Sequence, residues 1–154
     1  MGSNKSLLIV YHSQSGNTEA FAKAVESGAS AIAEVIVTRK SASATTADDL
    51  KKCGTLVICS PEYFGYMAGA VKDLLDRTYE EVRDTMFGKS YGIVVCAGND
   101  GTGAVKSIER IIAGFRMKKV QEPIICRGEI SSEDLSKCRL LGRTLAAGID
   151  LGIY

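Results

Sequence analysis

Five short apolar runs, spaced along the whole chain, constrain the fold more than any other feature of the sequence. Each run is continuous rather than alternating, a pattern typical of strands that are buried on both faces in a parallel sheet covered by helices. The runs cover residues 7–11, 33–37, 55–59, 91–97 and 120–126. The sequence therefore predicts five parallel strands.

Amphipathic segments separate these runs. Val71, Leu74 and Leu75 recur at helical spacing with charged residues between them, and residues 105–115 repeat the pattern. Further helices are predicted over residues 18–29, 47–52 and 131–147. Because β-α-β crossovers are right-handed, this alternation predicts a doubly wound α/β fold with helices on both faces of the sheet. The length of 154 residues is common for one domain, so residues 1–154 are expected to form a single domain.

Charge and composition exclude several classes of function. The 19 Lys and Arg residues nearly balance 18 Asp and Glu residues, so neither a nucleic acid nor an anionic membrane surface is expected as a partner. The first apolar run is too short for a signal peptide or a membrane span, and we expect a cytoplasmic protein. The five cysteines form no C-x-x-C pair and no zinc-binding spacing, so they are interpreted as reduced thiols without a metal site.

The candidate site lies at one edge of the predicted sheet. In doubly wound folds, ligands bind beyond the carboxyl ends of the strands, where the strand order reverses. The loops to consider therefore follow the first, third and fourth strands. Cys96 directly precedes the last of these loops, but its position in an apolar run favours a core thiol over a catalytic one.

The first loop joins an apolar strand directly to a helix. The start of a helix has unpaired N–H groups and a partial positive charge, which together attract a phosphate. The alternative is that the polar side chains only form a turn and cap the helix. Gly16 lets a ligand approach the backbone, and His12, the single histidine, is interpreted as shaping the turn. We predict a phosphate site formed by Ser13, Gln14, Ser15, Gly16, Asn17 and Thr18.

The second loop carries three aromatic residues within four positions. Such side chains are costly on a bare exposed loop, whereas a planar aromatic ligand would give them a surface to pack against. The alternatives are a patch that faces a partner protein or a loop folded onto the core. The role of Glu62 is left open. We predict ligand contacts from Pro61, Glu62, Tyr63, Phe64 and Gly65.

The third loop is rich in glycine, which allows backbone atoms to approach the edge of a planar ligand. It does not have the G-x-G-x-x-G form, so a Rossmann dinucleotide site is not predicted. A glycine-rich turn before a helix is common, and the loop is informative only because it lies at the same edge as the other two. The predicted ligand-binding residues here are Ala97, Gly98, Asn99, Asp100, Gly101 and Gly103.

Two of these loops resemble known flavoproteins. The first resembles the flavodoxin phosphate loop, Ser-x-Ser/Thr-Gly-Asn-Thr, and the second is similar to the P-E-Y…G…K-x-x-x-D pattern of NAD(P)H-dependent FMN reductases and WrbA-type quinone reductases. The resemblance extends over residues 7–147. It implies a flavodoxin-like, five-stranded parallel sheet of order 2-1-3-4-5 that binds one FMN non-covalently. The insertion that splits the fifth strand of long-chain flavodoxins is missing, so the chain is similar to the short form.

The resemblance leaves two functions open. One is an NAD(P)H-dependent oxidoreductase that passes electrons via FMN to a quinone or similar small acceptor; the other is a flavodoxin-type carrier of single electrons between redox proteins. Flavodoxins are typically acidic, so a net charge of +1 favours the enzyme. A domain that has lost FMN is disfavoured by the intact phosphate loop. Because the flavin carries the chemistry, no catalytic side chain is predicted. Reductases of this kind often form homodimers or higher homo-oligomers, and the same is expected here.

Overall fold

The computed structural model describes residues 4–154 as alternating strands and helices. The strands are β1 (Ser6–Tyr11), β2 (Ile36–Ser41), β3 (Thr55–Tyr63), β4 (Tyr66–Met67), β5 (Ser90–Ala97), β6 (Lys118–Lys119) and β7 (Ile124–Arg127). The helices are α1 (Asn17–Ala29), α2 (Ala47–Lys52), α3 (Gly69–Met86), α4 (Thr102–Phe115) and α5 (Ser132–Asp150), with a 3-10 turn at Ala42–Ala44.

The strands form one sheet with the predicted doubly wound order. β1 lies between β2 and β3, β5 follows β3, and both β6 and β7 pair with the far side of β5. These pairs are parallel, and among the strands of the described chain only the two-residue β4 runs antiparallel, against β3. With β5 as the fourth main strand and β7 as the fifth, the order 2-1-3-4-5 is confirmed. The reversal at β1 and β3 places a crevice at their carboxyl ends.

The two sheet edges differ from the prediction of strands buried on both faces. β2 begins at Ile36 rather than residue 33, and Ile36 is 71% exposed. Turns that follow α1 occupy residues 30–35, including a bond from the Val35 N–H to the Ile32 carbonyl. An edge strand has a neighbour on one side only, so the helices do not cover it completely. Full burial therefore holds for the central strands alone.

The fifth predicted strand is interrupted. Tyr91 of β5 pairs with Lys119 and Val94 pairs with Ile124, so residues 120–123 bulge out of the edge. Pro123 lies in this bulge, and proline has no N–H to donate to a neighbouring strand. The apolar run over residues 120–126 thus forms a strand only in its second half.

Two apolar layers cover the sheet. α3 and α4 bury one face, with Leu74, Leu75 and Ile108 fully enclosed. α1 and α5 bury the other face and cross very closely, because a Cβ at Gly28 would collide with the Arg139 carbonyl and one at Gly142 with the Val25 carbonyl. Within residues 4–154, no helix has both the length and the apolar character needed to cross a membrane.

Candidate functional site

The three predicted loops converge on one cleft at the carboxyl edge of β1, β3 and β5. Its volume is about 280 Å³. Nine of the residues predicted from sequence line it, and they come from all three loops. They are Gln14, Ser15, Asn17, Thr18, Pro61, Glu62, Tyr63, Ala97 and Gly98.

The first loop leaves the start of α1 uncapped. Gly16 is the N-cap residue, with a φ of 98°, and no side chain within residues 4–154 accepts a hydrogen bond from the amides of the first turn. The Ser13 hydroxyl instead accepts the Gly16 N–H at 3.0 Å, which fixes the turn. By contrast, α2 and α5 are capped by Thr46 and Ser131. The polar side chains of this loop therefore do not cap the helix, and the amides that open α1 are available for an anion.

Cys96 lies in the cleft between this loop and β5, a position that the sequence prediction did not include. Burial raises the pKa of the Cys96 thiol to about 11, against a smaller opposing effect of the neighbouring Thr18 hydroxyl. A thiol with this pKa stays protonated at neutral pH and is a poor nucleophile. Cys96 forms part of the cleft wall.

The second loop is a β-hairpin rather than an irregular loop. Glu62 pairs with Met67 and Tyr63 with Tyr66, and the turn residues Phe64 and Gly65 have φ of 53° and 71°. Positive φ at both turn residues is the type I′ geometry that suits the twist of a two-residue hairpin. Phe64 lies at the tip and is fully exposed, so the alternative in which this loop folds onto the core is wrong for Phe64.

Tyr63 is the aromatic residue of the hairpin that faces the cleft. The His12 ring packs edge-on against it, with 6.2 Å between the ring centroids. His12 also donates its backbone N–H to the Cys59 carbonyl at 3.2 Å. These two contacts agree with the interpretation that His12 shapes the turn, and they show that it also orients Tyr63.

The hairpin is fastened to its surroundings at both sides. The Ala68 N–H donates to the buried Ser60 hydroxyl at 2.9 Å, and the Met67 N–H donates to Ser107 of α4 at 3.1 Å. Gly103 of α4 packs directly against Gly65, where a Cβ would collide with the Gly65 carbonyl. The hairpin is therefore held rigidly against the start of α4.

Glu62 connects the second loop to the third. Its two carboxylate oxygens accept the Gly101 N–H at 3.3 Å and the Ala104 N–H at 3.1 Å. A carboxylate at this place satisfies unpaired amides of α4 and interacts favourably with the positive end of the helix. Although Glu62 lines the cleft, its charge is directed at α4. This cap gives Glu62 the role that the sequence left open.

The third loop is fixed by polar contacts of its own. The Asp100 carboxylate accepts both the N–H and the hydroxyl of Thr102 at 2.9 Å, and these hydrogen bonds lower the Asp100 pKa. Arg127 of β7 donates to the Asp100 carbonyl at 2.8 Å. Gly98 faces the cleft, and a Cβ there would have no atom within 4 Å. The loop thus leaves open space beside Gly98.

Comparison with known proteins identifies the family. The family described as NADPH-dependent FMN reductase matches residues 7–129, which is most of the chain. The chain belongs to the FMN reductase family. FMN is therefore its cofactor, and the protein is an FMN-binding flavoprotein with the flavodoxin-like fold that the sequence predicted.

Solved structures agree on the fold of this FMN reductase family member. A flavodoxin from the domain Archaea is 24% identical, with 94% of this chain and 99% of that chain covered and a TM-score of 0.81. A WrbA-like flavodoxin from Agrobacterium tumefaciens is 19% identical, with 96% and 98% covered and a TM-score of 0.81. A flavodiiron protein from Giardia intestinalis is 19% identical, with 96% of this chain but 36% of that chain covered and a TM-score of 0.82.

The cleft of this FMN reductase family member fits FMN in its donors and its shape. The uncapped amides of α1 suit a phosphate dianion, and the Tyr63 ring offers an aromatic surface for a flavin. The open space at Gly98 is a cradle that any larger side chain would fill. When bound, FMN would be held at these three places.

The structure also separates predicted residues that line the cleft from those that shape it. Ser13 and Gly16 form the turn, Phe64 and Gly65 form the hairpin tip, and Gly103 abuts that tip. The remaining three predicted residues, Asn99, Asp100 and Gly101, lie in the third loop outside the cleft lining. Gly128, which the prediction omitted, does line it. It follows β7 and donates its N–H to the Ala97 carbonyl at 3.1 Å, a contact that could have been found by including the loop after the fifth strand.

Proposed function

We propose that this protein is an NAD(P)H-dependent oxidoreductase that passes electrons through FMN to a quinone or a similar small acceptor. The observation that carries the proposal is a positively charged rim beside an open cleft. Arg127 donates to the Asp100 carbonyl at 2.8 Å, and both Arg127 and Lys106 lie close enough to lower the pKa of the Asp100 carboxylate, after the larger effect of its bonds to Thr102. Two cations and one carboxylate leave this rim with a net positive charge. Neither cation forms an ion pair with another residue of the described chain. Such a rim attracts the phosphates of a nicotinamide nucleotide.

The residues of the cleft would position the reactants rather than react with them. The amides of α1 would bind the FMN phosphate, and Pro61 and Tyr63 would support the ring. Bound FMN supplies the hydride chemistry. The described residues form one cleft at this edge, so the nicotinamide and the acceptor would use the same surface in turn. Successive use of one site predicts ping-pong kinetics.

Anaerobic oxidation of NADPH and NADH, measured at 340 nm with a soluble quinone, tests this function. We expect turnover with parallel double-reciprocal plots. The variant Gly98→Val should fold but bind FMN weakly, because its side chain fills the open space; Gly69→Ala, also free of contacts within 4 Å, is the matched control. If the FMN-loaded protein oxidises neither nucleotide, the proposal is wrong.

A flavodoxin-type electron carrier is the second candidate, and Phe64 is the observation that favours it. The fully exposed Phe64 ring lies at the tip of a rigid hairpin beside the cleft, and aromatic side chains are enriched in surfaces that contact a partner protein. A carrier would reduce a one-electron protein acceptor after chemical reduction, yet would not oxidise NADPH. The oxidation of NADPH at 340 nm and the reduction of a one-electron protein acceptor therefore separate the two candidates.

A further inference from the structure

A line of cations leads from the cleft rim along α4. Lys106 and Arg110 are exposed and lie one turn apart, about 6 Å along the helix axis. Glu109 is the single acidic residue of α4, and its carboxylate forms an ion pair with the Lys119 ammonium at 3.2 Å. Neither Lys106 nor Arg110 pairs with an acid in the described part of the chain. Adjacent like charges are unfavourable on a helix, so an anionic ligand would stabilise this arrangement.

The line ends at a groove between α3 and α4. The groove has a volume of about 460 Å³ and begins at Tyr66, on the outer strand of the hairpin. Tyr66 and Tyr79 contribute aromatic surfaces, and Gly114 has no side chain to cover the edge of the Tyr79 ring. Phe115 packs edge-on against Tyr79 and the Arg83 guanidinium lies 6.0 Å from its centroid, so an incoming ring would use the surface that these two side chains leave. Arg110 lies on the wall. Planar, apolar and cationic surfaces thus meet in one place.

The second cation of the groove is less available than Arg110. Lys72 is 2.7 Å from the Asp76 carboxylate, which already satisfies its charge. The Ser107 hydroxyl is also occupied, because it accepts the Met67 N–H and donates to the Ala104 carbonyl. Arg110 is therefore the group in this groove that is free to bind an anion.

We infer that this groove binds the adenosine 2′-phosphate half of NADPH. This inference rests on the proposed function, since it assigns the remote end of the same substrate. With the nicotinamide in the cleft, the pyrophosphate would pass Lys106 and the 2′-phosphate would reach Arg110, whose planar guanidinium can donate two parallel hydrogen bonds. Adenine would stack on the tyrosine rings. Because NADH has no 2′-phosphate, Arg110 would select NADPH.

Binding of fragments to the FMN-loaded protein tests the inference without turnover. Adenosine 2′,5′-bisphosphate and AMP would be titrated separately into ¹⁵N-labelled protein, with affinity measured by calorimetry. We expect amide shifts around Tyr79 and Arg110, and bisphosphate binding at least tenfold tighter than AMP binding. Arg110→Ser should abolish that preference and leave AMP binding unchanged. Arg143→Ser, which removes an exposed cation from α5 on the opposite face, should change neither.

Three outcomes would overturn the inference: equal affinity for the two fragments, shifts confined to other surfaces, or an unchanged preference in Arg110→Ser. Failure of the proposed function is distinguishable. NADPH oxidation that persists with an unaltered NADPH-to-NADH KM ratio in Arg110→Ser refutes the groove alone. Selective bisphosphate binding without any nucleotide oxidation refutes the enzyme and leaves a nucleotide-binding groove.

Discussion

Replacement of Glu62 tests the connection between the second and third loops. In Glu62→Ala, the amides of Gly101 and Ala104 lose their acceptor, and both residues are buried. Hydrogen bonds to charged groups contribute about 1.5–3 kcal/mol each. Glu62 is partly buried, and one bond is long at 3.3 Å, so we expect a total loss of about 2–4 kcal/mol in the free energy of unfolding.

The measurement is urea unfolding of the apoprotein followed by far-UV circular dichroism. A loss of this size lowers the melting temperature by roughly 4–16 °C for a chain of this length. Because α4 would fray at its start, we also expect weaker FMN binding in a flavin-fluorescence titration. The control is Glu129→Ala, which removes the same charge from an exposed position near the cleft.

The result that would refute the reasoning is a Glu62→Ala variant within about 0.5 kcal/mol of Glu129→Ala, since surface changes usually fall in that range. Equal unfolding would mean that the carboxylate does not stabilise α4. Normal stability with lost FMN binding would instead assign Glu62 to the cofactor itself.

Three further predictions concern other parts of the fold. Gly103→Ala gains about 1 kcal/mol in helix propensity, but the methyl group collides with the Gly65 carbonyl, so we expect net destabilisation by thermal melting, whereas Gly69→Ala should be neutral or stabilising; a stabilised Gly103→Ala would disprove the close contact. Phe64→Asn creates the Asn-Gly pair that type I′ turns favour, and should raise the free energy of unfolding by about 1 kcal/mol; a free energy of unfolding below that of the unsubstituted protein would contradict the positive φ of 53°. Burial alone would raise the pKa of Asp49, but bonds from Lys40 and Thr46 lower it below the usual 3.8, so its stabilising effect is complete above about pH 5 and is lost as the pH falls through the lowered value. Asp49→Asn should therefore flatten the acid limb of the stability profile; an unchanged limb would exclude this contribution.

The sequence was sufficient for the parts of the site that depend on local pattern. Continuous apolar runs placed the central strands, and Gly16 with its polar neighbours marked the turn into α1. Ligands in doubly wound folds bind beyond the carboxyl ends of the strands, and this rule predicts that three loops far apart in the sequence form one site. The helix over residues 47–52 agrees with the structure at both ends. Each of these features depends on residues that lie close together in the sequence.

Features that depend on distant contacts could not be predicted in this way. The Glu62 cap joins residues 39 positions apart, and no local signal distinguishes it from a solvated glutamate. The sequence also does not indicate the hairpin, because its turn has Phe64 before Gly65 instead of the Asn that usually indicates type I′ geometry. Cys96 lies in the cleft because β5 ends there, although the apolar run that contains it predicts a buried core residue.

The close crossing of α1 and α5 has a consequence for biosynthesis. Gly28 and Gly142 allow the backbones to touch, and the apolar side of α1, including Phe21 and Val25, is enclosed with α5 residues such as Leu145 in the same layer. A nascent chain whose α5 is still inside the ribosome would expose that apolar side. The domain would therefore complete its folding only after α5 emerges, although α1 and the first loop are synthesised much earlier. Flavin binding would also wait until α5 has emerged.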